Sequence, residues 1–203
     1  EFATAAQGLQ TSGSTEDGYA AIDNALNTYL LPSSGVTLVL VTDEDRDNTN
    51  AALTYNSILA AIQAAGVNIV SMLDVNILAN GKTTAISTDG TTALVQNGQS
   101  FTSQPLDSIS STESSTIADY SDLTLAMGGG CVADLNQLRA GGDASTAFAA
   151  AFQTCIVNAA TNGTVTQILI SGVRDTGLGA SRSLRAKLRF MALSMGCDGG
   201  GGA

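Results

Sequence analysis

Apolar runs alternate along the chain with amphipathic segments, in an order typical of α/β proteins. Six residues from Val36 to Val41, five of them Val or Leu, read as a strand covered on both faces, as in parallel sheets. Val67–Leu73 is a second strand, and about Ala51–Ala65 lies between them with a helical apolar face that ends at Gly66. Strand, helix and strand at this spacing predict a right-handed parallel βαβ unit.

Three further helices and two further strands follow from the same periodicity. Helices are predicted from Ser14 or Thr15 to Leu30, from Ile117 to Met127 and from Asp143 to about Ala160, the last with the clearest amphipathic face. A short edge strand is predicted at Cys131–Leu135, and a last strand at Val165–Val173.

The regularity breaks between about residues 74 and 116, where Ser, Thr, Asn and Gly dominate. Asp89-Gly90 and Asn97-Gly98 separate short alternating runs, and such dipeptides are strong hairpin signals. We therefore predict a small antiparallel β-hairpin insertion, followed by a loose loop from Ser103 to Ser115. The predicted fold class is α/β, with a doubly wound, mainly parallel sheet flanked by helices.

Charge is distributed unevenly along the 203 residues, whose formal net charge is −10. Five of the eight Lys and Arg residues fall between Arg174 and Arg189, so that the preceding part is strongly acidic. An acidic surface repels phosphate backbones, which argues against nucleic acid and favours cations or basic partners. We predict a main domain over residues 1–160 and a C-terminal strand with a basic, Gly-rich tail over 161–203.

Histidine is absent, which removes the commonest general base and the usual zinc ligand. The sequence also contains no Walker-type loop and no Gly-x-Ser-x-Gly elbow. An enzyme therefore ranks last among the function classes, and we predict a protein without catalytic residues.

Cysteines and export signals leave several alternatives open. Cys131 and Cys155 could pair if the chain is exported, but two buried free thiols explain them equally well. Asn162-Gly163-Thr164 is an N-glycosylation sequon and a turn. No apolar run reaches the roughly 20 residues of a membrane span.

Acidic residues follow the first predicted strand directly. Asp43, Asp45 and Asp47 lie where ligands of parallel sheets gather, and their hard oxygens suit Mg²⁺ or Ca²⁺. A solvated turn, with Asn48 or Thr49 capping the next helix, is an alternative of equal weight.

Two stretches together resemble the von Willebrand factor type A (vWA) family. Gly13-Ser-Thr15-Glu-Asp-Gly18-Tyr-Ala20 opens a helix, and an apolar strand ends at Val41-Thr-Asp43. The resemblance implies a Rossmann-like fold and a metal-ion-dependent adhesion site (MIDAS), to which Thr15 and Asp43 contribute oxygen ligands and to which Asp45 and Asp47 are accessory. It further implies a secreted or cell-surface location, Mg²⁺ (or Mn²⁺ or Ca²⁺) as cofactor, and a protein partner whose acidic side chain completes the metal's coordination.

The family's Asp-x-Ser-x-Ser motif is not found in this sequence, and Glu44 replaces the Gly of the family's Thr-Asp-Gly. We expect an N-terminally truncated domain whose metal site is incomplete and binds the ion weakly or not at all. The family's central first strand would be missing, and Val165–Val173 is the segment that can take its place. The function expected is a non-enzymatic adhesion module, and the alternative is an extracellular scaffold domain with no working metal site.

Overall fold

The computed structural model describes residues 16–28, 35–81, 83–112, 115–161 and 165–172. Its helices are α1 (Gly18–Thr28), α2 (Tyr55–Ala65), α3 (Asp122–Ala126), α4 (Leu135–Arg139) and α5 (Gly142–Thr161), and a π-helical turn, Ile117–Ser121, leads into α3. Its strands are β1 (Gly35–Thr42), β2 (Val67–Leu73), β3 (Asn76–Ala79), β4 (Thr83–Thr88), β5 (Thr92–Asn97), β6 (Ser100–Ser110), β7 (Val132–Asp134) and β8 (Val165–Gly172).

All eight described strands belong to one sheet, in the order β3-β6-β5-β4-β7-β2-β1-β8. Strands β7, β2, β1 and β8 are parallel to one another. Strands β3 to β6 are antiparallel, and an additional pairing of β3 with β4 closes them into a barrel. The molecule thus has a parallel half and a barrel half, which meet where β4 pairs antiparallel with β7.

The predicted doubly wound, mainly parallel, Rossmann-like fold is therefore wrong. Five of the eight strand pairings are antiparallel, and the segment read as a hairpin insertion is a closed antiparallel barrel. The predicted loop from Ser103 to Ser115 is largely strand β6. The predicted edge strand at Cys131–Leu135 is β7, an interior strand, and all three of its residues are buried.

Small residues explain why the barrel is difficult to recognise in the sequence. A narrow barrel has room inside only for small or few apolar side chains, so its strands carry a weak hydrophobic signal. Its strands contribute Ile77, Ala79, Ala85, Ala93 and Val95 to the larger hydrophobic cluster. The Ser and Thr residues between them look like loop composition when read one segment at a time.

The parallel half does follow the prediction. Strand β1, helix α2 and strand β2 form the predicted parallel βαβ unit, which is confirmed, with Val36 opposite Val67 and Thr42 opposite Leu73. Helix α2 begins at a Thr54 capping box and ends at Gly66, whose φ of 63° suits glycine. Strand β8 lies parallel to β1, so Val165–Gly172 does form a strand, but it ends the described strand order and does not take a central position; Val173 itself lies outside the described residues.

Helices cover both faces of strands β1 and β2. On one face, α1, α2 and the π-helical turn bury Tyr19, Ile22, Ile58, Ile62 and Tyr120 against Val36, Leu38, Leu40 and Ile69. On the other face, α5 buries Phe148 and Ala151 against Ile86 of β4 and Ala133 of β7. Because α5 contacts both β4 and β7, it spans the junction of the two halves.

Two buried tyrosines fix the start of α1. The backbone N–H of Gly18 donates to the Tyr120 hydroxyl at 3.0 Å, and the Tyr19 hydroxyl donates to the carbonyl of Asp119 at 2.9 Å. A β-carbon on Gly18 would lie 2.5 Å from the Tyr120 ring, so this close contact requires glycine. The amino end of α1 is thereby held beside the carboxyl end of β1.

Candidate functional site

Three aspartates lie at the carboxyl ends of neighbouring parallel strands. Asp43 follows β1, Asp74 follows β2, and Asp134 is the last residue of β7. The strands are in register there, because Thr42 lies opposite Leu73 and Leu73 lies opposite Asp134. Ligands of parallel sheets gather at this end of the strands, and we call it the carboxyl edge.

Arg139, at the end of α4, neutralises part of the carboxyl edge. Its guanidinium donates a hydrogen bond to Asp43 and lies 3.6 Å from a carboxylate oxygen of Asp74. The side-chain amide of Asn136 also donates to Asp74, at 2.7 Å. Two of the three aspartates are therefore engaged by side chains of one short helix.

Asp134 is 2% exposed and caps that helix. Its carboxylate accepts from the backbone N–H of Asn136 at 2.9 Å and from the side chain of Gln137 at 3.1 Å. Burial raises the pKa of Asp134, and these hydrogen bonds oppose the rise without cancelling it. The contacts indicate a structural role, in which Asp134 holds α4 and hence Arg139 in place.

A buried ion pair between Arg46 and Asp17 anchors the acidic loop that follows β1. The Arg46 Nε lies 2.8 Å from Asp17 Oδ1, and the two side chains are 8% and 3% exposed. The guanidinium also lies over the Tyr19 ring, 4.2 Å from its centroid. Arg46 thus ties the loop to the amino end of α1.

Asp17 accepts hydrogen bonds both from the start of α1 and from the loop after β1. It accepts from the backbone N–H groups of Tyr19 and Ala20, as a helix cap, and from the N–H and hydroxyl of Thr49, both at 2.9 Å. Burial alone would raise the pKa of Asp17, but the hydrogen bonds from Arg46 and Thr49 outweigh it, and the pKa lies below its ordinary value. Asp17 therefore stays ionised and locks the loop.

Three carboxylates of the locked loop and that of Glu16, which precedes α1, form what we call the acidic rim: Glu16, Asp43, Glu44 and Asp47. The Thr42 hydroxyl donates to Glu16 at 3.1 Å, and the backbone N–H of Glu16 donates to Asp47. Burial raises the pKa of Glu16 most, and the charges of Glu44, Asp43 and Asp47 raise it further. Like charges are thus held together against their repulsion.

The raised pKa of Glu16 gives a pH-dependent prediction for Glu16→Gln. Because the folded protein holds this proton more tightly than the unfolded chain, the contribution of Glu16 to stability falls as pH rises from below its ordinary pKa of 4.5 through the raised value. Gln keeps an acceptor for Thr42 but does not ionise. We expect the variant to gain stability relative to the parent as pH rises from 4 to 7, measured by urea unfolding at each pH.

Asp143→Asn is the control, because that carboxylate lies at the start of α5 and accepts from Gln99 instead. A Glu16→Gln difference that stays constant between the two pH values would contradict the raised pKa.

The described residues do not form the metal site that the vWA resemblance implies. Asp43 binds Arg139, and Asp47 accepts from the Glu16 backbone, so both are engaged with protein donors. In the described ranges no group of three or more His, Cys, Asp or Glu side chains is arranged to hold a metal ion. The Rossmann-like interpretation is corrected with the fold, whereas a metal-ligand role of Asp43, Asp45 and Asp47 stays a prediction. Thr15 lies outside the described residues, so its pairing with Asp43 stays a prediction.

A disulfide joins Cys131 and Cys155, with their Cα atoms 5.8 Å apart. It connects the residue before β7 to α5. The sequence left open whether these cysteines form a disulfide or are two free thiols, and the structure has the disulfide. The sequon at Asn162 lies outside the described residues. In the part of the chain that the structure describes, no helix has the length and apolarity that crossing a bilayer requires.

Sequence reasoning identified Asp43 but missed its neighbours. Asp74 carries the same signal, an aspartate directly after a buried strand, and was read only as the start of an irregular segment. Arg46 and Arg139 gave no local signal, because their partners Asp17, Asp43 and Asp74 lie 29 to 96 residues away along the chain.

Comparison with known proteins adds no relative to this geometry: no family model, no curated protein and no solved structure matches the chain.

Proposed function

We propose that this chain is a non-catalytic protein-binding module whose acidic rim recognises a basic segment of a partner protein. The observation that carries the proposal is the rim itself, in which the Arg46–Asp17 lock holds the carboxylates of Glu16, Asp43, Glu44 and Asp47 in one place. Lys or Arg side chains of a partner would relieve their mutual repulsion. Charge complementarity of this kind supplies specificity and fast association.

Rigidity of the loop supports recognition rather than simple solubility. Arg46 contributes its backbone N–H to the Ser115 hydroxyl and its side chain to Asp17 and to the carbonyl of Asn50. A loop ordered before binding loses less conformational entropy when a partner binds. The disulfide between Cys131 and Cys155 supports an extracellular location, where such bonds persist.

The test uses defined peptides and the full chain labelled with ¹⁵N. A Lys-Arg-Lys-Arg peptide and a Glu-Asp-Glu-Asp peptide are titrated separately at low and physiological salt, with backbone amide shifts as the readout. We expect the basic peptide to shift amides of residues 43–47 and 136–139, more strongly at low salt. The acidic peptide should leave them unchanged.

A charge-matched pair of variants separates the rim from the overall charge. Asp43→Asn/Glu44→Gln/Asp47→Asn should abolish the localised shifts, whereas Asp107→Asn/Asp122→Asn/Asp143→Asn, which removes the same three charges elsewhere, should retain them. Equal losses in both variants would reduce the effect to net charge and contradict the proposal. Both titrations are repeated with EDTA and with Mg²⁺, and binding of the acidic peptide only with Mg²⁺ would favour the metal-dependent alternative instead.

A further inference from the structure

A cavity of about 480 Å³ lies at the end of the molecule opposite the acidic rim. It is bounded by Cys131, which precedes β7, and by Asp89, which follows β4; because these strands are antiparallel, both residues lie at the amino end of β7. Its volume falls within the range of small-molecule sites, roughly 300–1,000 Å³. The cavity is therefore separate from the carboxyl edge.

Neutral polar groups dominate the lining. Six side chains supply hydroxyls, Asn158 supplies a carboxamide, and Gly128–Gly130 presents backbone without side chains; the six are Ser87, Thr88, Thr91, Thr92, Ser103 and Thr154. Among the residues that the structure describes, the lining includes no Lys or Arg, so these residues offer no cation to neutralise a phosphate or a carboxylate. Aromatic rings are absent from it as well.

Asp89, the one carboxylate among the described lining residues, already accepts several hydrogen bonds. Asp89 accepts from the backbone N–H groups of Thr91 and Thr92, at 2.9 and 2.7 Å, and from the Thr92 hydroxyl at 3.1 Å. Three of its roughly four acceptor positions are thus used to hold the turn between β4 and β5. It is poorly placed to act as the counter-ion of a cationic ligand.

Several hydroxyl groups of the lining have hydrogen-bonding capacity left, among them those of Thr154 and Ser87. Thr154 donates to the carbonyl of Ala150 at 3.1 Å, which leaves its oxygen free to accept. Ser87 is fully buried, and its hydroxyl has no hydrogen-bond partner. Buried hydroxyls are almost always paired, so an unpaired one in a cavity wall points to a polar occupant.

The wall is fixed in shape before any ligand arrives. The Cys131–Cys155 disulfide forms part of it and joins the glycine segment to α5. A β-carbon on Gly130 would lie 2.1 Å from the carbonyl oxygen of Ile69, so the glycine backbone is pressed against β2. A wall fixed in this way binds without the cost of ordering it.

We propose that this cavity binds a small, uncharged, polyhydroxylated ligand, namely a sugar residue. Sugar hydroxyls both donate and accept, which matches a lining of hydroxyl, carboxamide and backbone groups with no cation. Such a ligand uses this donor and acceptor set without placing an unpaired charge in the cavity. The inference is independent of the proposed protein-binding function.

The test records ¹⁵N–¹H shifts of the full oxidised chain during titration with D-mannose, D-galactose or N-acetyl-D-glucosamine, and separately with sodium phosphate. We expect at least one sugar to shift the amides of Gly128–Gly130 and Thr91 with millimolar affinity, and phosphate to leave them unchanged. If none of the three sugars shifts these amides, or if phosphate does, the proposal is overturned.

Variants distinguish binding in the cavity from weak association elsewhere. Asn158→Ala and Ser87→Ala should each weaken sugar binding by roughly tenfold, the effect of losing one ordinary hydrogen bond. Gln153→Ala, an exposed change on the same helix outside the cavity, should have no effect. Ser87→Ala should leave the unfolding midpoint unchanged or raise it, since it removes an unpaired buried group. Equal sugar affinity in all three variants would overturn the proposal.

Discussion

Replacing Arg46 with alanine is expected to lower the free energy of unfolding by about 3–5 kcal/mol, because it leaves the Asp17 carboxylate buried without its charge partner. The change also removes the contact of the guanidinium with the Tyr19 ring and the hydrogen bond to the Asn50 carbonyl. Urea unfolding at neutral pH, followed by circular dichroism, measures the loss.

Arg139→Ala is the matched control for this prediction. It also removes an arginine bound to aspartates, but the side chains of Arg139 and Asp43 are 46% and 47% exposed. Water and salt screen such a pair, and the expected loss is within about 1 kcal/mol. If the two variants lose equal stability, burial does not govern the strength of the Arg46–Asp17 pair.

Removing the disulfide by Cys131→Ser/Cys155→Ser is expected to lower the free energy of unfolding by roughly 2–4 kcal/mol. The bond closes a loop with a sequence separation of 24 residues, and opening it restores conformational freedom to the unfolded chain. Unfolding of the oxidised parent, the reduced parent and the double variant under the same conditions measures the effect.

Cys197→Ser, tested in the oxidised parent, controls for the effect of removing a cysteine as such. It should leave the unfolding midpoint unchanged, whereas reduction and the double substitution should lower it by similar amounts. If reduction has no effect on the parent, the bond between Cys131 and Cys155 does not stabilise the fold.

The parallel half of the fold was predictable because its signals are local. Val36–Val41 and Val67–Leu73 are rich in β-branched residues, and Gly66 ends the helix between them, so each element is read from a few consecutive residues. The barrel was not predictable in this way. Its closure depends on β3 pairing with both β4 and β6, and Ile77 lies opposite Ala85 and Ile109. Ala85 and Ile109 are too far apart in the sequence for one short segment to contain both of them.

The candidate site was also predictable only where its signals are local. An aspartate after a buried strand predicts a position at the carboxyl edge, and Asp43 was placed there correctly from the sequence. The chemistry of the site depends on which partners reach it, and these come from distant segments: Arg139 for Asp43, and Arg46 for Asp17. Nothing in the sequence indicated that Arg139 would reach Asp43.

The short strand β7 limits the sheet pairing between the barrel half and the parallel half. Within the described ranges, two residue pairs, Ser87 with Ala133 and Thr88 with Val132, join the barrel half to the parallel half along the sheet. Helix α5 packs across this junction, where Phe148 and Ala151 contact the cluster that contains Ile86 of β4 and Ala133 of β7. Since the sheet pairing is this short, side-chain packing holds the two halves together: that of α5 on one face, and on the other the hydrophobic cluster that Ile77 and Ala85 of the barrel share with Leu38 and Ile69.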